Sequence, residues 1–261
     1  MNTDYLKKNI CWFAAVNILL LLFTQMAVAA APVKVVHSGE WPPYSDRKLP
    51  GQGLGVQLVT EIFKRAGYKT EISTDSLIRL LEGTRIGVYD VFATAWYSEQ
   101  RNKYLHFSDP YLETSVRFIK RKGSSFQFNG LEELQDSLIG IIAGYAYDPA
   151  FDQSRKLLKV TERNLIQNLM KLKQGRIDAT LGDIRVLKHQ INQYMPDYMP
   201  GYEILERPLT VSGIHIAVSR ANPQHKKIVA NFNMALKAMI KDGSYHKIVN
   251  EYNNYIEKPA F

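Results

Sequence analysis

Cysteine is nearly absent from this 261-residue sequence, which contains only Cys11. A single cysteine excludes an internal disulfide framework and any zinc site built on several thiolates. The six histidines form no pair at metal-ligand spacing, and the sequence contains neither a His-Glu-x-x-His nor a Gly-x-Ser-x-Gly motif. We therefore expect no metal, no cofactor and no catalytic set.

The N-terminal apolar run is too short to span a membrane. Residues 10–23 form a run of 14, whereas a span needs about 20 apolar residues. The run follows Lys7 and Lys8 and precedes Ala27-Val28-Ala29, the small-x-small pattern of a signal-peptidase site. We predict a signal peptide over residues 1–29 and export to the periplasm; the alternative is an uncleaved anchor.

The charge balance is basic, with 33 Lys and Arg against 25 Asp and Glu, a formal net charge of +8. These positive residues are scattered, which favours a solvated basic surface over a nucleic-acid interface, and an exported chain has little access to nucleic acid. The 46% apolar content suits a globular chain of one large or two small domains, which we expect to be monomeric.

Short apolar runs alternate with helical periodicity along most of the chain, which predicts an α/β fold with largely parallel sheets. The predicted strands cover residues 33–36, 68–73, 89–95, 116–120, 138–143, 179–181 and 214–219, and the predicted helices cover 54–66, 164–174 and 223–241, with a short helix near 77–81.

One pattern occurs twice. Gly87-Val88-Tyr89-Asp90 and Gly175-Arg176-Ile177-Asp178 each precede a short apolar strand. Beyond the first strand comes Arg101, and beyond the second comes Asp183. Ligands bind at the carboxyl ends of strands in open α/β sheets. The repeat therefore predicts two lobes that face one cleft and present opposite charges to it.

Arg101 and Asp183 suit the two ends of a zwitterion. The guanidinium fork of Arg101 matches a carboxylate, and the carboxylate of Asp183 matches an ammonium group. Two structural alternatives stay open. Arg101 could form a local ion pair with Glu99 or Asp109, and Asp183 could cap the following helix.

Aromatic and basic residues near other strand ends are further candidates. Trp41 and Tyr44, in a Trp-Pro-Pro-Tyr turn, would cover a ligand or plug the apolar core. Gly144–Pro149 opens a helix whose free N–H groups suit an anion, although it also fits an ordinary strand-to-helix turn. Arg79 would enter the cleft as a second anion contact or point to solvent.

Taken together, these residues resemble family 3 of the bacterial periplasmic solute-binding proteins, the amino-acid-type receptors of ABC importers. The resemblance covers almost all of the chain after residue 29. Its carriers are Gly53-Leu54-Gly55-Val56 before the helix Leu58–Ala66, Tyr89-Asp90, Ser98-Glu99-Gln100-Arg101, Phe107-Ser108-Asp109-Pro110-Tyr111, Gly175-Arg176-Ile177-Asp178-Ala179, and Asp242-Gly243-Ser244-Tyr245 with Ile248.

The resemblance implies a type 2 periplasmic binding protein fold, in which two α/β lobes joined by two hinge strands close on a ligand. It places lobe 1 at residues 32–117 and 212–261 and lobe 2 at residues 118–211. The hinge strands would lie near Ser115–Ile119 and Pro208–Gly213.

The resemblance also implies roles for single residues. Arg101 would bind the ligand's α-carboxylate and Asp183 its α-ammonium group. Trp41 would pack on the ligand, and the backbone of Tyr145 and Ala146 would donate further hydrogen bonds to the carboxylate.

The sequence departs from the family pattern before the arginine motif. The stretch Thr94, Ala95 and Trp96 is about one residue shorter than usual, so that Thr94 takes the role of the usual serine or threonine or no residue does. With Gly144-Tyr145-Ala146-Tyr147 in the second lobe, the pocket is expected to be more aromatic and tighter than usual.

The function implied is capture of a small polar solute, an amino acid or a small organic acid, for the membrane permease of an ABC importer. One alternative is an enzyme resembling cyclohexadienyl dehydratases, for which Glu40 and Glu113 are the nominal acid–base candidates. The other is a stand-alone periplasmic sensor, which the sequence does not distinguish from a transport receptor.

Overall fold

The computed structural model describes residues 31–256, and the side chains of residues 31–254. The predicted signal peptide over residues 1–29, with Cys11, lies outside the described residues. None of the helices in the described range combines the length and the apolar character needed to cross a membrane.

Strands and helices alternate, as the sequence pattern predicts. The strands within residues 31–256 are β1 (Val33–His37), β2 (Thr70–Thr74), β3 (Val91–Trp96), β4 (Leu105–Phe107), β5 (Leu112–Arg121), β6 (Leu138–Ile142), β7 (Leu158–Glu162), β8 (Ala179–Asp183) and β9 (Tyr202–Ser219). The α-helices in the same range are α1 (Leu54–Arg65), α2 (Leu77–Arg85), α3 (Glu99–Asn102), α4 (Pro149–Gln153), α5 (Leu165–Lys173), α6 (Ile184–Tyr194), α7 (His225–Lys241) and α8 (Ser244–Ile256).

The described strands form one sheet in the order β2-β1-β3-β9-β5-β8-β6-β7, with β4 paired to β9. The two ends of the sheet are parallel, β2-β1-β3 on one side and β8-β6-β7 on the other. The middle is antiparallel, because β9 and β5 pair with each other and with the inner strand of each parallel half. The predicted α/β class is confirmed, and the parallel pairing is confined to the two ends.

The long strand β9 joins the two halves of the sheet. Its first part pairs with β5, from Arg121↔Tyr202 to Leu112↔Ile214, and its last part pairs with β3 and β4. The apolar pattern predicted only its final residues, 214–219, and the family resemblance added a hinge strand near Pro208–Gly213; Pro208 cannot donate a backbone hydrogen bond and interrupts a strand pattern. The β5–β9 register shifts beside Arg117↔Pro208, which accommodates the proline within the ladder.

The predicted hinge segments fall on this pairing. Ser115 lies opposite Val211, and Arg117 lies opposite Pro208. Residues 32–256 lie within one compact unit. The boundaries between the lobes therefore remain a prediction from the sequence.

The repeated Gly-x-x-Asp pattern makes the same structure twice. Gly87 and Gly175 have φ angles of +82° and +72°, which only glycine adopts without strain. The following aspartates then each accept a hydrogen bond of 2.8 Å from the N–H of a strand's first or second residue, Asp90 from Lys34 and Asp178 from Leu138. Each turn thus ties the start of the strand that follows it to the start of a neighbouring parallel strand, β3 to β1 and β8 to β6. The carboxyl ends of the paired strands therefore lie at the same edge of the sheet.

Candidate functional site

A cavity of about 700 Å³ lies beyond the carboxyl ends of the parallel strands. Its walls come from both halves of the sheet. One wall is formed by Ser38, Glu40, Trp41, Ser76, Leu77, Ile78, Arg79, Phe92, Thr94, Trp96 and Arg101, and the other by Ile142, Ala143, Tyr145, Arg163, Asn164, Leu165, Gln167 and Gln190.

Arg101 lies on the cavity wall, with only 7% of its surface exposed. Its Nη1 donates to the Trp96 carbonyl at 3.2 Å, and its Nη2 donates to the Gly144 carbonyl in the other half of the sheet at 2.5 Å. No carboxylate of the described residues lies within ion-pairing distance of it. Burial lowers the pKa of the guanidinium, which nevertheless stays charged. The site therefore contains a buried cation without an anion.

The local ion pairs that the sequence left open for Arg101 do not form. Glu99 accepts a hydrogen bond from the Tyr97 hydroxyl at 2.7 Å, and Asp109 pairs with Lys237 at 3.3 Å. The arginine instead extends from α3 to the opposite wall of the cavity.

Thr94, another lining residue of the cavity, carries a second unmet polar group. It is 4% exposed, and its hydroxyl has no hydrogen-bond partner among the described residues. A buried hydroxyl left unpaired costs about 1–3 kcal/mol. Thr94 and Arg101 are both buried, polar and incompletely matched on the wall of one cavity.

Aromatic rings form much of the inner wall. Trp41 packs edge-on against Trp96 with centroids 5.2 Å apart, and Trp96 packs edge-on against Tyr145 at 5.4 Å. Tyr147 adds a contact to Trp96 at 6.0 Å from the second half of the sheet. Burial raises the pKa of the Tyr145 hydroxyl, so that it stays protonated at neutral pH. The rings thus connect the two halves of the sheet.

Asp183, the predicted ammonium partner, does not line the cavity. It is 1% exposed and accepts hydrogen bonds from the Tyr44 hydroxyl and from the backbone N–H groups of Ser115, Arg185 and Val186, at 2.9–3.2 Å. The last two bonds make it the N-cap of α6. Burial raises the pKa of this carboxyl, while the four hydrogen bonds oppose that shift. The structural alternative for Asp183, helix capping, accounts for two of its four hydrogen bonds.

Three other predicted residues also lie outside the lining. Tyr44 is completely buried beneath Trp41, and its hydroxyl is held between Asp183 and the Arg185 guanidinium. Ala95 and Ala146 are not lining residues either. The Ala95 side chain packs in the core, on the other face of β3 from Thr94.

Of the two backbone donors predicted in the Gly144–Pro149 loop, that of Tyr145 has a partner within the chain. The Tyr145 N–H donates to the Ile142 carbonyl at 3.2 Å. The first N–H groups of α4 donate to the side chain of Asp148. Tyr145 consequently reaches the cavity through its ring, and the start of α4 is an ordinary capped turn.

Sequence reasoning missed the parts of the wall formed by the starts of two helices. Ser76, Leu77 and Ile78 open α2 beyond β2, and Asn164 and Leu165 open α5 beyond β7. The signal that would have found them is the strand-end rule applied to the outer parallel strands as well. Gln190, on α6, carried no such signal.

Charged groups line the more exposed part of the cavity. The Arg79 Nε donates to Asp75 Oδ1 at 2.5 Å, while 75% of the Arg79 side chain is exposed. Arg163 is exposed and makes no ion pair with a carboxylate of the described residues, and Glu40 is the single acidic lining residue. Glu113 lies in a separate surface concavity beside Tyr245. No group of three His, Cys, Asp or Glu side chains in the described range is placed to hold a metal.

Comparison with known families shows which family the chain belongs to. The family model described as bacterial extracellular solute-binding proteins, family 3, matches residues 33–255. The chain belongs to this family. The resemblance seen in the sequence is thereby confirmed, and the described fold matches the type 2 binding-protein fold of solved relatives.

Individual relatives of this family-3 protein are distant but cover nearly its full length. The arginine-binding periplasmic protein of Mannheimia haemolytica is 26% identical over 240 residues, which are 90% of this chain and 97% of that protein. An ancestral arginine-binding protein bound to arginine is 25% identical, with a TM-score of 0.72 over 86% of this chain and 99% of that chain. The ancestral amino acid-binding protein AncCDT-1, a precursor of cyclohexadienyl dehydratase, shares the fold, with a TM-score of 0.67, 20% identity and coverage of 85% and 95%.

Proposed function

We propose that this family-3 protein captures a small polar solute bearing a carboxylate, in the first instance an amino acid, in the periplasm and delivers it to an ABC importer. The observation that carries the proposal is the unmatched pair of Arg101 and Thr94 on one cavity wall. A carboxylate would supply the anion that Arg101 lacks and the acceptor that the Thr94 hydroxyl lacks. The names of the relatives favour the same class of solute.

The mechanism we propose is closure of the cavity between two lobes about the β5–β9 strands. Residues from both halves of the sheet line the cavity, so a solute that touches both walls favours the closed arrangement over the open one. The lobes would be residues 32–117 with 212–261, and residues 118–211. Arg101 would both bind the solute and hold the second lobe through the Gly144 carbonyl.

We propose binding without turnover. General acid–base chemistry requires a titrating group beside the substrate. Glu40 is the one carboxylate among the lining residues, and the other nominal candidate, Glu113, lies elsewhere. Steady release of product from prephenate or arogenate by the purified protein, lost on Glu40→Gln substitution, would instead favour the dehydratase alternative.

The experiment that tests the proposal is a thermal-unfolding screen of the purified protein against the standard amino acids and a set of small organic acids. A solute present at one hundred times its Kd adds about 2.7 kcal/mol to the free energy of unfolding. We expect at least one carboxylate-bearing solute to raise the melting temperature. Amines and sugars without a carboxylate should leave it unchanged, and stabilisation by these compounds alone would contradict the proposal.

A further inference from the structure

The charges around the cavity favour an anionic solute. Arg79, Arg101 and Arg163 line it, against Glu40 as the one acid. Arg101 and Arg163 have no carboxylate partner among the described residues, and Asp75 engages only the Nε of Arg79. A fully cationic solute would therefore meet two unpaired guanidiniums, whereas an anion would neutralise them.

Two helix starts add to the same field. The first residues of α2 and α5 lie on the cavity wall. The N-terminal end of a helix carries a partial positive charge and N–H groups without intrahelical acceptors. At the start of α2, the N-cap residue Ser76 makes no side-chain capping bond, whereas the side chain of Asn164 caps α5 by accepting from the Gln167 N–H.

The cations lie at two depths. Arg101 and Thr94, whose hydroxyl is unpaired, are both buried on the cavity wall, while the Arg79 and Arg163 side chains are exposed. One acidic group placed against Arg101 and Thr94 leaves Arg163 without an acid and the remaining donors of Arg79, beyond its Nε bond to Asp75, without one. A second acidic group on the same molecule, nearer solvent, would satisfy them.

Among the described residues, only one acidic residue, Glu40, lines the cavity and could pair with an amino group of the solute. Asp183, the carboxylate expected to hold an α-ammonium group, is sealed behind Tyr44 and already accepts four hydrogen bonds. Glu40 alone remains on the cavity wall. The described residues thus offer less to an ammonium group than to a second carboxylate.

On the basis of the proposed function, we infer that the solute carries two acidic groups, one held by Arg101 and Thr94 and the other by Arg79 and Arg163. Acidic amino acids and the corresponding dicarboxylates share this chemistry.

The test is calorimetric titration of the purified protein, expressed from the full sequence, with matched solutes. Glutamate and aspartate are compared with their amides glutamine and asparagine, with the amine-free glutarate and succinate, and with arginine. We expect the best diacid to bind at least about tenfold more tightly than its amide or arginine, because a second charge-assisted contact is lost in both. Added salt should reduce this difference, since the outer arginines are exposed. Comparing glutamate with glutarate, and aspartate with succinate, shows whether Glu40 contributes to binding of the solute's amino group.

Matched variants identify the arginines that bind the second acidic group of the solute. Arg163→Gln should weaken the diacid about three- to tenfold and leave its amide within twofold. The control is Arg176→Gln, which removes an exposed charge beyond the opposite end of α5 and should leave both affinities unchanged. Arg79→Gln should act as Arg163→Gln does.

The possible failures are distinguishable. If glutamine, asparagine or arginine binds as tightly as any diacid, the inference is overturned while solute binding stands. If diacids bind best but neither Arg163→Gln nor Arg79→Gln affects them, the assignment of the outer arginines is overturned. If no carboxylate-bearing compound in the wider screen binds, both the inference and the proposed function fail.

Discussion

Arg101 and Asp183 occupy matching positions in the two halves of the sheet, one just beyond β3 and the other at the end of β8. Both are buried, at 7% and 1% exposure, and they carry opposite charges. Their surroundings differ. Asp183 accepts four hydrogen bonds from its own chain, whereas Arg101 donates to two carbonyl groups and has no acidic partner among the described residues.

The difference separates a charge that the fold accounts for from one for which we propose a function. A buried charge with a complete set of partners is explained by the fold itself, since it caps a helix and ties Ser115 and Tyr44 to β8. A buried charge without a counter-ion carries a desolvation cost, which the two hydrogen bonds of Arg101 to carbonyl groups offset only in part. Such a residue is expected to gain its partner from outside, and a cavity beside it identifies where.

The largest expected effect is that of Arg101→Gln on solute affinity. Loss of one partner of a buried, charge-assisted contact costs about 3–5 kcal/mol, and each 1.4 kcal/mol is tenfold in Kd. We expect the Kd of the solute found in the screen to rise by about two to three orders of magnitude in calorimetric titration. Arg101→Lys should recover only part of the loss, because an ammonium group cannot grip a carboxylate in two places.

The unliganded Arg101→Gln protein provides the control. Two hydrogen bonds to carbonyl groups are lost, but an unmatched buried charge is removed as well, so the free energy of unfolding should change by less than about 2 kcal/mol. If Arg101→Gln raised the Kd by less than about tenfold, Arg101 would have a structural role and would not be the main contact of the solute. The contrast with Asp183 would then disappear.

Asp183→Asn should show the reverse pattern. The amide cannot accept all four hydrogen bonds, and its N–H groups would oppose donors such as the Ser115 N–H. We expect the free energy of unfolding to fall by about 1.5–3 kcal/mol in denaturant titration, with solute affinity within threefold of wild type. Asp136→Asn, at an exposed acid, is the matched control and should change neither quantity.

One outcome of that experiment would favour the zwitterion clamp predicted from the sequence. If Asp183→Asn left stability intact and weakened an amino acid a hundredfold, Asp183 would reach the solute in an arrangement that exposes it. Tyr44 would have to withdraw from Asp183 for this to happen.

Much of the fold could be predicted from local patterns. Buried strands such as β3 and β8 are short apolar runs, and the two Gly-x-x-Asp turns preceding them impose the same local geometry wherever they occur. The start of β9 could not be predicted in this way. Its residues around Pro208 are held by pairing with β5, which is distant in sequence, and a local pattern carries no information about that partner.

The sequence could predict that Arg101 lies on the cavity wall, but it could not predict which residues reach the cavity where that depends on the packing of other side chains and strands. The Arg101 prediction needed only a strand end and a cation. For Asp183 the same rule could not tell a capping carboxylate from a ligand contact, because that depends on whether Tyr44 covers it. The wall formed by the starts of α2 and α5 depends on the order of strands in the sheet, which the sequence does not display directly.

The smallest expected effects come from two buried threonines that differ only in their partners. Thr94 is 4% exposed with an unpaired hydroxyl, while Thr114 is 2% exposed, with its hydroxyl accepting from Trp96 Nε1 at 3.0 Å and donating to the Ser212 carbonyl at 2.8 Å. Thr94→Val removes an unsatisfied group and should raise the free energy of unfolding without solute by about 1 kcal/mol. Thr114→Val leaves two groups unpaired and should lower it by about 1–3 kcal/mol.

Solute affinity distinguishes the two positions again, in the opposite direction. Loss of a hydrogen bond from Thr94 to a bound carboxylate should raise the Kd about threefold to tenfold, since such a bond is worth about 0.5–1.5 kcal/mol. Thr114→Val should leave the Kd within twofold when the folded fraction is taken into account. If the Thr94→Val protein is more stable without solute yet binds it less tightly, the Thr94 hydroxyl destabilises the unliganded fold and contributes to solute binding. If both variants lose stability and neither loses affinity, the Thr94 hydroxyl has a structural partner and the unmatched polar wall reduces to Arg101 alone.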